Sequence, residues 1–273
     1  MKKSAIKQRK KDKKIVISLK KIIAFVILLS VLFFSTNLIV KATEETVDVV
    51  CKDYNLYQTL KERINSSYLA SGNSDKANED GTYTLKVKAE AISSITSLNL
   101  SNSSSDSRKI TDLTGIESFS YLTELNLKNN NVSDVSQLLN LNNITTLDLS
   151  GNNISSLDII SKINNLEILN LSANKINDIS KISGLKNLIN LDLSNNSIST
   201  TSAIQQLTKL QILNLSGNTS ISNIDDVLVS SLTNLNLSDT AITKIDPDGD
   251  KSYIKILDCK NLKELRLANC KIT

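Results

Sequence analysis

Leu122-Thr-Glu-Leu125-Asn-Leu127-Lys-Asn-Asn130 decides the fold, because it returns. Twenty-two residues on, the chain reads Ile144-Thr-Thr-Leu147-Asp-Leu149-Ser-Gly-Asn152. The same spacing recurs at Leu166/Leu169/Leu171/Asn174, at Leu188/Leu191/Leu193/Asn196, and at Leu210/Leu213/Leu215/Asn218. It comes again at Leu232/Leu235/Leu237, with Thr240 in the Asn slot, after five identical 22-residue steps. A last copy, Leu262/Leu265/Leu267, follows 30 residues later with Cys270 in that slot. Upstream, Ile95/Leu98/Leu100 is a degenerate first copy, set apart by a five-residue insertion within Ser101–Lys109. Repetition at a fixed period is the mark of a solenoid.

Each copy ends with leucines two residues apart, which places them on one face of a short strand. A single strand cannot bury that face, so the copies must stack as a parallel sheet over a continuous core. The recurrent Asn falls where the chain turns back, and can hydrogen-bond backbone groups of adjacent coils there. Thr240 and Cys270 are smaller, so their coils should be weaker. Val132/Val135, Ile154/Leu157, Ile176/Ile179 and Ile242/Ile245 close each coil, together with Leu141, Ile163, Leu185 and Leu207. About a dozen residues separate strands, too few for a crossover helix, so short helical or 3-10 turns are expected on the convex side. The predicted class is an α/β solenoid, a shallow horseshoe with a concave parallel sheet.

The motifs resemble the leucine-rich-repeat family, in the 22-residue form of internalin-like surface proteins of Gram-positive bacteria. The resemblance spans roughly residues 52–273. It includes Asp53-Tyr-Asn-Leu56-Tyr-Gln-Thr-Leu60, similar to the small helical N-cap of those proteins, and the lead-in Lys109-Ile-Thr-Asp-Leu-Thr-Gly115-Ile116. The family resemblance implies extracellular binding, usually of a protein, through the concave sheet; a host-derived ligand is one candidate. Sortase-type anchor, immunoglobulin-like and wall-binding modules are not found. The expected organisation is a leader at 1–42, a cap region at 43–94 with a flexible polar linker at 71–81, and repeats from 95 to 273 without a C-terminal cap. An open end implies either a truncated chain or pairing with another surface.

Charge supports export. Residues 1–42 hold 11 of the 32 Lys and Arg against one acid, Asp12, leaving 21 basic and 27 acidic residues beyond them. Ten of those cations, from Lys2 to Lys21, precede the apolar run Ile22–Phe34, and Val40-Lys41-Ala42 follows as a cleavage site. Thr43 is then the first mature residue. Ile22–Val40 is 19 residues, so an uncleaved anchor stays open as the alternative. Either way the repeats are extracytoplasmic, secreted or at the cell surface, with membrane contact only through that segment. The folded part has no basic cluster, which argues against nucleic acid.

Catalysis finds little support. The chain has no His and seven Gly, so imidazole-based triads, imidazole metal sites and a glycine-rich phosphate loop are ruled out or starved. No cofactor is expected. Asp246-Pro-Asp248-Gly-Asp250 resembles a calcium loop but lacks the later bidentate Glu, since Glu264 is too distant, and it reads as a turn. Of three cysteines, Cys259 and Cys270 fall in core columns, and Cys51, ahead of the cap helix, is expected to be the exposed thiol. The Asn-x-Ser matches in the strands are a by-product of the repeat.

The candidate binding residues are the outward strand positions. One column is Asn126, Asp148, Asn170, Asp192, Asn214, Asn236 and Arg266; a second contains Ile168, Asn190, Ile212 and Asn234. Neither contains Trp, Tyr or Phe, and Ile168 and Ile212 are the apolar anchors. The expected function is an exported binding module for a protein partner in adhesion or host contact. The alternative is a membrane-tethered envelope scaffold without a specific ligand.

Overall fold

The computed structural model describes residues 45–103, 105–243 and 259–272. The leader at 1–42, Ile245 and the Asp246–Asp250 cluster lie outside them. Eight three-residue strands form one parallel sheet in chain order: β3 (Ser97–Asn99), β4 (Glu124–Asn126), β5 (Thr146–Asp148), β6 (Ile168–Asn170), β7 (Asn190–Asp192), β8 (Ile212–Asn214), β9 (Asn234–Asn236) and β10 (Glu264–Arg266). The middle leucine of the motif sets the register, Leu98 pairing with Leu125, then Leu147, Leu169, Leu191, Leu213, Leu235 and Leu265. The degenerate first copy and the displaced last copy therefore both take their places in the sheet.

Each coil buries its aliphatic set almost completely. In the coil of β4, Leu122, Leu125, Leu127, Val132, Leu138 and Leu141 are at most 1% exposed. Short 3-10 turns at Ser136–Asn140, Ile160–Lys162, Ser180–Gly184 and Ser202–Gln206 fill the outer side. Successive i to i+3 bonds, Leu138 N to Val135 O and Leu141 N to Leu138 O, carry the chain from that side toward the next strand.

The Asn column makes an interlocking ladder. Asn196 Nδ2 donates to Leu171 O of the preceding coil and Leu193 O of its own, both at 3.0 Å, while its Oδ1 accepts from Ile176 N at 3.0 Å. Asn130, Asn152, Asn174 and Asn218 repeat the arrangement. These carbonyls and amides sit inside the turn, where an unpaired polar group costs about 1–3 kcal/mol. Thr240 has one hydroxyl proton, given to Leu237 O at 2.7 Å, and Cys270 Sγ reaches the same carbonyl at 3.1 Å. Deprived of an Oδ1 partner in the following coil, Ile221 N turns to Asn218 O at 3.1 Å.

The residue before that slot has a left-handed backbone in the coils of β4 through β10: Asn129, Gly151, Ala173, Asn195, Gly217, Asp239 and Asn269 have φ between 53° and 73°. Asn, Asp and Gly tolerate this region, and Ala173 is the exception. At Gly151 and Gly217 the fit is closer still. A Cβ would lie 2.5 Å from Asn129 Oδ1 at the first and 2.4 Å from Asn195 Oδ1 at the second.

The N-terminal cap contains the expected helix, α1 (Tyr54–Arg63), and also a two-stranded antiparallel pair, β1 (Thr46–Cys51) with β2 (Tyr83–Lys88). Thr-Val-Asp-Val-Val-Cys and Tyr-Thr-Leu-Lys-Val-Lys alternate as strands do, burying Val49, Cys51, Leu85 and Val87 against Leu56 and Leu60. In the segment 71–81, Asn73 is tied to β2, its Oδ1 accepting from Lys86 N at 2.6 Å. Asp53 joins cap to repeats. Its Oδ1 caps α1 by accepting from Asn55 N and Leu56 N, while Oδ2 accepts from the backbone and hydroxyl of Thr111 at 2.6 and 2.8 Å. Gly115 closes the junction with φ +108°, and a Cβ there would meet Val50 O at 2.9 Å and Cys51 Sγ at 3.0 Å.

Cys51 overturns the sequence expectation of an exposed thiol. It ends β1 facing inward and is fully buried, and burial, followed by the charges of Glu117, Asp53 and Asp112, pushes its pKa up to about 12. Cys259 is buried as its column requires, and Cys270 is half-buried.

Candidate functional site

With the leucines turned into the core, the first and last residue of every strand face out. Two troughs lie over this face. The larger, about 460 Å³, runs from Ser97 to Asp192 and is lined by Asn126, Asp148, Ile168, Asn170, Asn190 and Asp192. The smaller, about 250 Å³, holds Ile212, Asn214, Asn234, Asn236 and Arg266. The structure thus divides the eleven residues singled out from sequence between two neighbouring depressions of one sheet.

Their side chains are not equally free. In the column that ends the strands, one oxygen of each side chain from Asn126 to Asn236 accepts the backbone N–H two residues on. Lys128 N donates to Asn126, Ser150 N to Asp148, Ser172 N to Asn170, Ser194 N to Asp192, Ser216 N to Asn214 and Ser238 N to Asn236, at 2.8–3.1 Å. These turns directly follow β4 through β9. The column is therefore structural through one atom and presents only its second to the trough. Asn214 Nδ2 spends even that on Asp192 Oδ2 at 3.1 Å.

The other column is less committed. Ile168 and Ile212 are 43% and 41% exposed although they stand mid-sheet on β6 and β8, flanking Asn190 on β7. Two strand spacings separate them, about 10 Å. The trough around Ile168 is lined by three carboxylates, Glu124, Asp148 and Asp192, and by no basic residue. At the other end Glu264 Oε1 accepts from Arg266 Nε at 2.6 Å and Oε2 from Asn234 Nδ2 at 2.7 Å. The bond from Arg266, then that from Asn234, lowers the Glu264 carboxyl below its ordinary pKa. Arg266 and Asn234 each commit one nitrogen to this carboxylate. Among the described residues no group of three His, Cys, Asp or Glu gathers to hold a metal ion.

Family models place the same repeats. "Leucine rich repeat" models match residues 164–219 and 120–136, and a two-copy model matches 142–185. Internalin C2 from Listeria monocytogenes superposes with a TM-score of 0.65 at 26% identity, over 84% of this chain and 92% of that one. The chain is a leucine-rich-repeat solenoid similar to the internalins. A second Listeria monocytogenes internalin, inlF, shares the fold with a TM-score of 0.52 at 20% identity, over 82% of this chain and 71% of its own. No curated protein matches the chain in sequence. The leucine-rich-repeat architecture is in general a protein-interaction scaffold and not an enzyme fold.

Sequence reading missed a second polar ladder of this leucine-rich-repeat array. On the lip where the chain approaches each strand, Asn143 Nδ2 donates to Ser120 O, Asn165 to Asn142 O, Asn187 to Asn164 O and Asn261 to Ser230 O, at 2.8–3.2 Å. The signal was present one residue before the first leucine of each motif. Lys209 and Ser231 interrupt the column, and Asn there looked like loop composition.

Proposed function

We propose that this chain is an exported module that binds a protein partner through the sheet face, in adhesion or host contact at the bacterial surface, with Ile168 and Ile212 as its anchors. The observation that carries the reading is the exposure of two isoleucines in the middle of an otherwise polar sheet. The part of each side chain left in water contributes nothing to the fold, and covering it is worth about 1 kcal/mol. The acidic lining around Ile168 favours a partner whose rim is basic. Export rests on the order of basic segment, apolar run and small-residue site within residues 1–42.

Photo-crosslinkers placed at positions 168 and 212, in the protein displayed by its own cell, test this reading. One discrete adduct at both positions, absent with the probe at the outer-side Lys181, is expected. Its loss in an Ile168→Asp, Ile212→Asp double variant completes the case. Adducts at all three positions alike, or none, overturn it. Recovery of the protein only from the cytosol, with Met1 intact, overturns export.

A second reading draws on the turn-forming column. Six side chains of the sheet face, from Asn126 to Asn236, serve their own backbone, as a tethered scaffold would require. Unchanged cell-surface behaviour after scrambling Glu124, Thr146, Ile168, Asn190 and Ile212 favours that scaffold.

A further inference from the structure

Beside the sheet face, on the lip that leads into β7 through β10, lies a separate groove of about 480 Å³ bounded by Ile189, Lys209, Gln211, Thr233, Asn261 and Lys263. It shares no lining residue with either trough of the sheet face. Its charge is also opposite. Two lysines line it and no carboxylate does. Lys209 Nζ donates at 2.9 Å to Asn187 Oδ1 of the preceding coil, a neutral acceptor that leaves its charge uncompensated. The ion pairs among the described residues are Lys61–Asp75, Arg108 with Glu62 and Asp106, and Arg266–Glu264, so neither groove lysine belongs to one. An arriving anion therefore displaces no existing pair.

Spacing narrows the class of anion. Coils stack about 4.8 Å apart, so Lys209 and Lys263, on the approaches to β8 and β10, are about 10 Å apart along the array. Ile189 lies one coil before Lys209, so along the array the backbone carries an apolar residue, a lysine about 5 Å on, and a second lysine about 14 Å on. Alternate side chains of an extended peptide recur every ~6.7 Å on one side, at about 0, 7 and 13 Å. The two series coincide within the reach of a lysine.

We propose that this groove is a second binding site, for an extended acidic segment of a partner protein with the pattern aliphatic-x-acid-x-acid. The aliphatic side chain lies on Ile189, the carboxylates meet Lys209 and Lys263, and the Gln211 side-chain amide faces the peptide backbone. The site does not depend on the reading of the sheet face.

Fluorescein-labelled Leu-Ser-Glu-Ser-Glu, blocked at its C-terminus, titrated with the full chain and followed by anisotropy, tests the proposal. Saturable binding that weakens at least tenfold in a Lys209→Gln, Lys263→Gln double variant is expected. A Lys209→Arg, Lys263→Arg variant should bind within threefold of the parent, and so should an Ile168→Asp, Ile212→Asp variant. Circular dichroism confirms that each variant folds. The assignment is overturned if binding is absent, or survives the glutamine changes. It is equally overturned if inorganic phosphate at the peptide's own concentration displaces the peptide, which would make the groove a simple anion site.

Discussion

The coils that carry Asn130 through Asn218 and the two that carry Thr240 and Cys270 have the same strand, the same leucines and the same register. They differ by one side chain at one corner. In the first group an amide gives two protons to carbonyls on neighbouring coils and takes one from a buried N–H, so each rung is shared by two turns of the solenoid. In the second a hydroxyl and a thiol crowd onto a single carbonyl, that of Leu237. Leucine periodicity is therefore sufficient to put β9 and β10 in the sheet, whereas the Asn slot governs how firmly one coil is locked to the next.

That contrast can be broken at its strongest point. Asn218→Ala leaves two carbonyls and the Ile198 amide without their buried partner, and should lower stability in urea unfolding by about 3 kcal/mol. Thr240→Ala, which removes one bond, should cost about 1 kcal/mol; equal losses would mean that the ladder is not what distinguishes the two groups. Gly151→Ala should cost about 2 kcal/mol, from the left-handed backbone and the contact with Asn129 Oδ1 together. The reverse change at the exceptional coil, Ala173→Gly, should stabilise by up to about 1 kcal/mol, and a loss there would refute the conformational argument. Thr240→Asn should restore a rung, with a gain of about 1 kcal/mol and slower amide exchange at Ile221.

Smallest in effect is a comparison of thiols. At pH 8 Cys270 should react with a disulfide reagent in the native protein, while Cys51 stays silent until the cap opens. Because the folded Cys51 holds its proton to about pH 12 and the ordinary value is 9.0, its contribution to stability is complete below pH 9. It is then lost progressively between pH 9 and 12, as the unfolded thiol ionises first. A Cys51→Ala variant should lack that alkaline decline.

The sheet was almost wholly legible in advance, since Leu-x-x-Leu-x-Leu specifies strand, inward face and register at once. Even the 30-residue step to Leu262 did not hide β10. The cap strands were written in the alternation of Thr46–Cys51 and Tyr83–Lys88, but a pair joined across a helix has no period to reveal it. Without that pairing Cys51 had no reason to face inward. The outward columns were located correctly, yet sequence could not say that Asn126 or Asp148 would turn one oxygen to its own chain. Polar residues at strand ends look alike whether they await a ligand or finish a turn. The lip groove was invisible for a related reason: Ile189 and Lys263 share one slot of the repeat and Lys209 holds another, and stacking alone brings the three together.

One property of the register bears on how such an array changes over generations. Leu213 and Leu235 are paired across 22 residues and Leu235 and Leu265 across 30, yet both pairs occupy equivalent places in the sheet. The sheet keeps no record of how much chain lies between its strands. A lineage can therefore duplicate a coil, or lengthen one connection, while the spacing of the side chains that meet a partner stays constant. Copy number and loop length are free to drift while the strands keep their register.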